Sequence, residues 1–322
     1  MSGPVRTEDV APTEEATAPG DAPEVEITAS HEAQVGTLPV RRALPSRGRR
    51  TVGAWCFADH MGPVAVTEET APEIGPHPHI GLQTVTWLVA GEMLHRDSLG
   101  SEQTIRPGQL NLMTAGRGVA HAEESTGRYR GAMHGIQLWV AQPERTRHGD
   151  PAFEHHRQLP RVELDNGDAT VLVGELDGTT SPARRDTDHI GVELALRAGT
   201  TTVPLAAGHE HAIVVLDGAV AVDDSIVSPG HLAYLGRGRD ELALTARDGV
   251  RLLVLGGAPF ESPVLMWWNF VARTRDEVDQ ARAAWQDDDD RFGATGSLLS
   301  RIPAPVPPWS RTDPPGGAAP SR

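Results

Sequence analysis

The chain has 322 residues, of which 39% are hydrophobic and 23% charged, values typical of a globular protein with room for two domains. Its net charge of −15 argues against direct binding of nucleic acid, and its single cysteine, Cys56, excludes an intrachain disulfide. The chain starts without an apolar signal segment and has no long apolar run, so we expect a cytoplasmic protein that does not contact a membrane.

The two ends of the chain differ in composition from the middle. Residues 1–26 are rich in Ala, Pro, Thr and Glu, and residues 296–322 are rich in Pro. Such segments bury too little apolar surface to offset chain entropy, so both are predicted to be disordered tails. A docking segment around Trp309 is the alternative for the second tail.

Between the tails, short runs rich in β-branched and aromatic residues predict a mostly all-β chain. Strands are predicted at 83–89, 109–113, 136–140, 212–216, 219–222, 250–255 and 264–271. Turn signals such as Pro107-Gly108 and Asp217-Gly218 separate them. Short strands at close spacing are typical of a barrel or a sandwich.

One helix is predicted after the strands, at about 274–285, within a C-terminal helical segment that we assign to residues 273–295. Thr274 and Glu277 fit a capping box at its start. Val278, Ala281 and Trp285 share one face, which we expect to pack on a barrel.

An internal repeat predicts two tandem domains of one fold. His77-x-His79, Pro107-Gly108 and Gly116-Arg117-Gly118 recur in the same order as His209-x-His211, Pro229-Gly230 and Gly236-Arg237-Gly238. We place the first domain at 27–158 and the second at 159–272.

Two short motifs in the first domain carry the chemistry. His77-Pro78-His79 and His121-Ala122-Glu123 each place two metal-binding side chains at positions i and i+2, on one face of a strand. Three imidazoles and one carboxylate on one ion leave two octahedral positions free for dioxygen or an oxygen-bearing substrate. This ligand set suits Fe(II), Mn, Ni, Cu or Zn and does not choose among them.

The second copy of the repeat lacks the second motif. The matching segment, Glu241-Leu242-Ala243-Leu244, has no histidine. We therefore expect a second domain without metal, with His209 and His211 at the surface or hydrogen-bonded. In the first domain, His95 and Asp97 share a face of a strand and are expected to form a structural hydrogen bond, with a place in the lining of the cavity as the alternative.

The run from His77 to Glu123, HPHIGLQTVTWLVAGEMLHRDSLG…IRPGQLNLMTAGRGVAHAE, resembles the pirin family of the cupin superfamily. GAWCFADHMGP before it and HGIQLWV after it also resemble pirins, and the similarity extends over about residues 30–285. The resemblance implies two tandem cupin (jelly-roll) β-barrels. It also implies one ion, most often iron as Fe(II), bound by His77, His79, His121 and Glu123. Many pirins carry Glu at the position of Gln83, which is expected either to alter the metal preference or to hydrogen-bond a ligand histidine.

The resemblance implies three alternatives for function. The first is a metal-dependent dioxygenase that acts on a small aromatic, flavonol-like substrate such as quercetin with dioxygen, with Glu123 as catalytic base. The second is a non-catalytic, metal- or redox-sensing regulator of a transcription factor or metabolic enzyme. The third is another cupin reaction, such as isomerisation of a sugar or small acid. An apolar cavity favours the aromatic substrate, whereas a narrow cavity rich in Arg and His favours a small anion.

Overall fold

A computed structural model describes residues 24–310 of the chain. Its strands are β1 (Glu26–Ala29), β2 (His31–Val35), β3 (Leu38–Leu44), β4 (Trp55–Ala65), β5 (Glu73–His79), β6 (Leu82–Ala90), β7 (Met93–Asp97), β8 (Glu102–Ile105), β9 (Leu110–Thr114), β10 (Val119–Glu124), β11 (Ala132–Ala141), β12 (Ala152–His156), β13 (Arg161–Leu164), β14 (Gly167–Val173), β15 (Glu175–Leu176), β16 (Thr179–Thr180), β17 (His189–Leu196), β18 (Gly199–Pro204), β19 (Glu210–Asp217), β20 (Val220–Val222), β21 (Ser225–Val227), β22 (His231–Gly236), β23 (Glu241–Ala246), β24 (Val250–Gly257), β25 (Leu265–Trp267) and β26 (Phe270–Ala272). One α-helix, α1 (Arg275–Gln286), and a short 3-10 helix (Pro308–Ser310) follow. Between residues 24 and 310, no helix has the length and apolar character needed to cross a membrane.

The strands form two barrels of the same design, each with a seven-stranded and a four-stranded antiparallel sheet. The first barrel has the sheets β12-β9-β6-β11-β4-β3-β2 and β5-β10-β7-β8. The second has β1-β22-β19-β24-β17-β14-β13 and β18-β23-β20-β21. The predicted all-β fold of two tandem barrels with a short C-terminal helix is therefore confirmed.

The first strand crosses to the second barrel. β1 pairs with β22, with Glu26 opposite Tyr234 and Ala29 opposite His231. This placement differs from the sequence-based division, which gave residues 27–158 to the first domain and 1–26 to a tail. Local sequence cannot show this pairing, because the partner strand lies about 200 residues further along the chain.

The two barrels share a core between their seven-stranded sheets. Val85 and Leu138 of the first barrel belong to one buried cluster with Leu172, Val214 and Leu253 of the second. Burial of each such side chain contributes about 1.5–3 kcal/mol, so this interface fixes the barrels against each other.

The end of the chain returns to the first barrel. The predicted strand 264–271 is a hairpin instead, because Trp268 adopts a left-handed conformation (φ +54°) and turns the chain between β25 and β26. Trp267 and Phe270 of this hairpin form one buried cluster with Ile80 and Ala120, which lie beside the β5-β10-β7-β8 sheet. The C-terminal segment thus packs against the first barrel.

Helix α1 follows Thr274, whose hydroxyl accepts a hydrogen bond from the Glu277 N–H at 3.3 Å. Its face of Val278, Ala281 and Trp285 is buried, as predicted. The helix ends at Gln286, so it is shorter than the helical segment assigned to 273–295.

Residues 296–310 are packed rather than disordered, in contrast to the prediction for the tail. The Ile302 N–H donates to the Pro76 carbonyl at 2.9 Å, and the Trp285 indole N–H donates to the Ile302 carbonyl at 2.8 Å. Trp309 contacts the Asp279 carboxylate of α1. An extended, proline-rich chain is held here by side chains of the helix, which composition alone does not reveal. The remainder of both predicted tails lies outside the described residues.

Candidate metal centre

One face of the β5-β10-β7-β8 sheet collects the polar side chains that the motifs predicted. His121 on β10 lies opposite His77 on β5 and opposite Asp97 on β7. Glu123, two residues later, lies opposite His95. Because side chains at i and i+2 of a strand point to the same face, these residues share the interior face of the first barrel with His79.

Three of the four predicted ligands form a compact group. One ring nitrogen of each of His77, His79 and His121 lies within 4.8 Å of the others. The Nε2 atoms of His79 and His121 are 3.0 Å apart. Both can bind one ion, since a metal–nitrogen bond is about 2.1 Å long. All three side chains are at most 6% exposed.

Hydrogen bonds fix which nitrogen of each ring faces the centre. His77 Nδ1 lies 2.9 Å from the Gly75 carbonyl, and His79 Nδ1 lies 3.0 Å from the Asn269 carbonyl. A carbonyl only accepts, so each Nδ1 carries the proton and each Nε2 presents its lone pair to the centre. Asn269 lies in the turn between β25 and β26, so the C-terminal segment orients a predicted ligand.

The group fits a cation. Burial lowers the pKa of His77 to about 4, and burial together with the neighbouring imidazole of His77 lowers the pKa values of His79 and His121 well below the usual range. The rings are therefore neutral near pH 7, and the lone pair of His79 Nε2 lies 3.0 Å from His121 Nε2. At this distance the two nitrogens can share the one proton of a neutral His121 ring, or they can bind one divalent cation together. These residues belong to a site for a single metal ion.

Glu123 lies outside this group of nitrogen atoms. A register shift separates it from His121, because His121 lies opposite His77 whereas Glu123 lies opposite Ile74. Burial raises the pKa of its carboxyl to about 7. The carboxyl is thus poised to exchange a proton near neutral pH beside the three imidazoles.

His95 and Asp97 form the predicted hydrogen bond, with 2.9 Å between His95 Nε2 and Asp97 Oδ2. Burial tends to raise the pKa of Asp97, but hydrogen bonds from His95 and the Ser101 N–H outweigh it and lower the value. His95 Nδ1 also lies 3.4 Å from His121 Nδ1, so this pair contacts the metal group. The sequence identified the pair but not this contact.

A row of large side chains lies beside the imidazoles inside the barrel. Thr84 lies opposite Met113 and Trp139, and these lie opposite Phe153 and Phe57. The Trp139 ring stacks on Phe57 with centroids 4.0 Å apart and meets the His79 ring at 5.1 Å. This wall is mainly apolar and aromatic.

The next row along the same strands is polar throughout. It consists of His155, Asn111, Thr86, Gln137, Asp59 and Arg42. Three hydrogen-bonded pairs join its members: His155 with Asn111 at 2.7 Å, Thr86 with Gln137 at 2.9 Å, and Arg42 with Asp59 at 2.6 Å. The barrel interior thus combines an aromatic wall at the metal group with polar groups one step away.

Gln83 does not face the metal group. It lies opposite Val140 and shares its face of β6 with Val85 and Trp87, which belong to the core between the barrels. Its amide nitrogen donates to the Thr114 hydroxyl at 3.0 Å. The expectation that Gln83 would hydrogen-bond a ligand histidine was wrong, because the strand directs it to the opposite side of the sheet.

In the second barrel, leucines occupy the strand that corresponds to β10. Leu242 and Leu244 on β23 are buried in the core of that barrel. His209 instead pairs with the Asp188 carboxylate at 3.1 Å, and His211 is buried. Within residues 24–310, the group of three potential metal ligands lies in the first barrel.

Comparison with known proteins agrees with this geometry. The family model for pirin matches residues 37–140, and the model for the pirin C-terminal cupin domain matches residues 191–293. The chain belongs to the pirin family. The second model confirms that the second half of this pirin is a cupin domain.

Several relatives of this pirin are named for one activity. A Pseudomonas aeruginosa protein whose name provisionally assigns it quercetin 2,3-dioxygenase activity is 47% identical over 276 residues, 85% of this chain and 87% of that protein. The crystal structure of quercetin 2,3-dioxygenase from Acinetobacter baumannii is 44% identical, with a TM-score of 0.86, over 89% of this chain and 97% of that one. The bacterial pirin YhhW from Escherichia coli, solved in complex with nickel(II), shares the fold at 18% identity and a TM-score of 0.60, over 73% of this chain and 100% of that one.

Sequence reasoning missed two contributors to the site. The Asn269 carbonyl comes from about 190 residues beyond His79, and a main-chain group leaves no motif. The aromatic wall of Phe57, Trp139 and Phe153 is assembled from three strands. The sequence shows which side chains of each strand point to the same face, but it does not show which strands are neighbours in the sheet.

Proposed function

We propose that this protein is a metal-dependent dioxygenase that acts on a flavonol-like aromatic substrate such as quercetin. The observation that carries the proposal is the buried set of three neutral imidazoles beside an aromatic wall. The names of its relatives support the same reaction. The polar second row contains no free cluster of arginines that would favour a small anion, since Arg42 is paired with Asp59.

In this proposal, His77, His79 and His121 hold the ion, and Glu123 supplies the fourth ligand atom. Fe(II) is the favoured ion, with Ni, Mn, Cu and Zn as alternatives that the same donors accept. The ion, when bound, supplies a positive charge and open coordination positions at which oxygen atoms of a substrate are activated.

The protein's own residues then have separate tasks. Trp139 and Phe57 offer flat surfaces on which a planar ring system packs. When detached from the ion, Glu123 would take the proton from an acidic hydroxyl of the substrate, a role suited to a buried carboxyl whose pKa without metal is about 7. The burial of the histidines keeps bulk water away from the site.

Two measurements on purified protein test this function. Elemental analysis is expected to find one transition-metal ion per chain. Oxygen consumption with quercetin is then followed after separate loading with Fe(II), Ni(II), Mn(II), Cu(II) and Zn(II). No turnover with any of these ions contradicts the proposed reaction, whereas turnover with one of them also identifies the working metal.

A matched pair of variants tests the role of Glu123. Glu123→Gln keeps the three imidazoles but removes both the fourth ligand atom and the base, so kcat of the fully metal-loaded variant is expected to fall about 10²–10⁴-fold. Glu124→Gln is the control, because Glu124 follows on the same strand but faces the other side, where it pairs with Arg96 at 2.7 Å. Equal loss in both variants would refute the role of Glu123.

A second candidate, a metal-sensing regulator, is favoured by one contact. His79 is held by the Asn269 carbonyl of the C-terminal segment, so occupancy of the centre is coupled to a segment that reaches the surface. Amide hydrogen exchange of residues 265–310 tests this coupling with and without Zn(II). Unchanged exchange on metal binding would remove the basis for a metal-controlled docking surface.

A further inference from the structure

Asp97 is a buried carboxylate whose two oxygens have separate partners. Oδ1 accepts the N–H groups of Leu99 and Ser101, both at 2.9 Å. Oδ2 accepts from His95 Nε2 at 2.9 Å. Asp97 is only 2% exposed, so water does not compete for these positions. The carboxylate is therefore a fixed acceptor aimed at His95.

The proton positions follow along the chain of contacts. His95 donates through Nε2, so its Nδ1 holds a lone pair when the ring is neutral. That lone pair faces His121 Nδ1 at 3.4 Å. The neutral His121 ring has two possible acceptors for its one proton, His79 Nε2 at 3.0 Å and His95 Nδ1 at 3.4 Å. With the proton on Nδ1, the contact with His95 is a hydrogen bond and His121 Nε2 keeps its lone pair toward His79.

Packing holds the middle ring of this chain in place. The His95 ring stacks on Phe153, with centroids 4.4 Å apart and an angle of 12° between the planes. His95 is 4% exposed. A ring fixed in this way keeps one nitrogen toward Asp97 and the other toward His121.

The three predicted ligands are not equivalent in this respect. His77 and His79 donate their Nδ1 protons to neutral main-chain carbonyls of Gly75 and Asn269. The corresponding chain from His121 ends on a carboxylate. A charged acceptor strengthens the hydrogen bonds that lead to it and increases the electron density on the imidazole.

We propose that Asp97 and His95 are positioning residues of the metal centre. The hydrogen-bond chain from Asp97 through His95 sets the tautomer of His121 and makes its Nε2 the strongest metal ligand of the three histidines. This inference rests on the proposed metal site. The chain of proton positions, however, is a property of the metal-free protein and is measured without metal.

Asp97→Asn is the decisive variant. The asparagine oxygen still accepts from Leu99 and Ser101, but its NH2 group now points at His95. His95 must then accept on Nε2 and carry its proton on Nδ1, which forces His121 to move its own proton to Nε2. A similar exchange of carboxylate for amide beside a catalytic histidine imposes the wrong tautomer in serine proteases.

His95→Gln and His95→Phe form a matched pair. Glutamine can accept from His121 through its carbonyl oxygen and donate to Asp97 through its NH2 group, so it preserves the chain. Phenylalanine preserves the stacking on Phe153 but removes both hydrogen bonds. We therefore expect His95→Gln to keep a higher metal affinity than His95→Phe. A purely structural role for His95 predicts the opposite order of metal affinities, because phenylalanine matches the shape of histidine better than glutamine does.

The tautomers are read from long-range ¹H–¹⁵N NMR spectra of the metal-free protein labelled at histidine. The His121 proton is expected on Nδ1 in the wild type and in His95→Gln, and on Nε2 in Asp97→Asn. Zn(II) and Co(II) affinities are measured by chelator competition, with the Co(II) absorption spectrum as a second readout. Affinity is expected to fall about 10–100-fold in Asp97→Asn and His95→Phe and to be retained in His95→Gln and in the control Glu124→Gln.

The results separate the two proposals. If Asp97→Asn changes neither the His121 tautomer nor the affinity for metal, the proposed hydrogen-bond chain is wrong. If Asp97→Asn shifts the His121 tautomer but the wild-type protein binds no metal, the hydrogen-bond chain is supported and the proposed metal function is contradicted. Affinity that falls in His95→Gln as much as in His95→Phe also overturns it.

Discussion

Replacement of His79 by leucine tests the metal centre through stability. With the His121 proton on Nδ1, as proposed above, the Nε2 lone pairs of His79 and His121 face each other at 3.0 Å in the metal-free protein, inside a site from which water is excluded. A buried polar group without a partner costs about 1–3 kcal/mol. Leucine removes this cost and fills the space beside Trp139, but it leaves the Asn269 carbonyl without its donor, a loss of about 1 kcal/mol.

The balance predicts that His79→Leu is more stable than the wild type when metal is absent, by about 1 kcal/mol. For a chain of 322 residues that corresponds to a Tm higher by about 1–2 °C. Metal at 100 times its Kd stabilises the wild type by about 2.7 kcal/mol, so its Tm is expected to rise by about 4 °C. The variant lacks this rise, and the order of the two midpoints reverses when metal is added.

Thermal unfolding in EDTA and in Zn(II), monitored by circular dichroism, measures both effects. His189→Leu is the control, because His189 is also a buried histidine with an unpartnered Nε2, but it lies in the second barrel. It should keep the full metal-dependent rise. The reasoning is refuted if His79→Leu is less stable than the wild type in EDTA, or if it keeps the rise.

Three further predictions concern the scaffold. Burial lowers the pKa of His189 from 6.5 to about 4, so between these two pH values the unfolded chain binds a proton that the folded chain does not. The free energy of unfolding should therefore fall by up to about 3 kcal/mol as the pH drops from 6.5 to 4. Urea midpoints measured against pH should fall less steeply in His189→Leu than in the wild type. Trp285→Ala removes a side chain that is 2% exposed and bonded to Ile302, at an expected cost of about 3–5 kcal/mol in urea unfolding; a cost below 1 kcal/mol would show that residues 296–310 are not held by it. Gly81→Ala places a Cβ against the Val271 carbonyl oxygen, well inside van der Waals contact, at a position with φ +65°. It should cost about 1–3 kcal/mol and reduce the metal-dependent rise in Tm; unchanged metal binding would mean that β26 does not control the site.

Much of the fold was readable because the relevant signals are local. β-branched and aromatic runs marked β6, β9, β11 and β24, and the capping residue Thr274 marked the start of α1. The run 264–271 was read as one strand because its composition is uniform. Only the left-handed Trp268 shows that it is a hairpin, and a bulky aromatic residue is a rare choice at such a position.

By itself, the sequence identified the three histidines of the metal site and predicted Glu123 as a fourth ligand. The spacing i, i+2 places both members of each motif on one face of its strand wherever that strand lies, because side-chain direction alternates along every strand. It also determined that the second barrel lacks the equivalent of His121, since Leu242 and Leu244 occupy that strand.

Tertiary structure decided what surrounds those ligands. It brought the Asn269 carbonyl to His79, linked His121 to Asp97 through His95, directed Gln83 away from the site, and placed Glu123 apart from the imidazole group. Each of these depends on which distant strands pair and in which register. Pairing is set by the packing of the whole sheet, because no local signal in one strand identifies its partner.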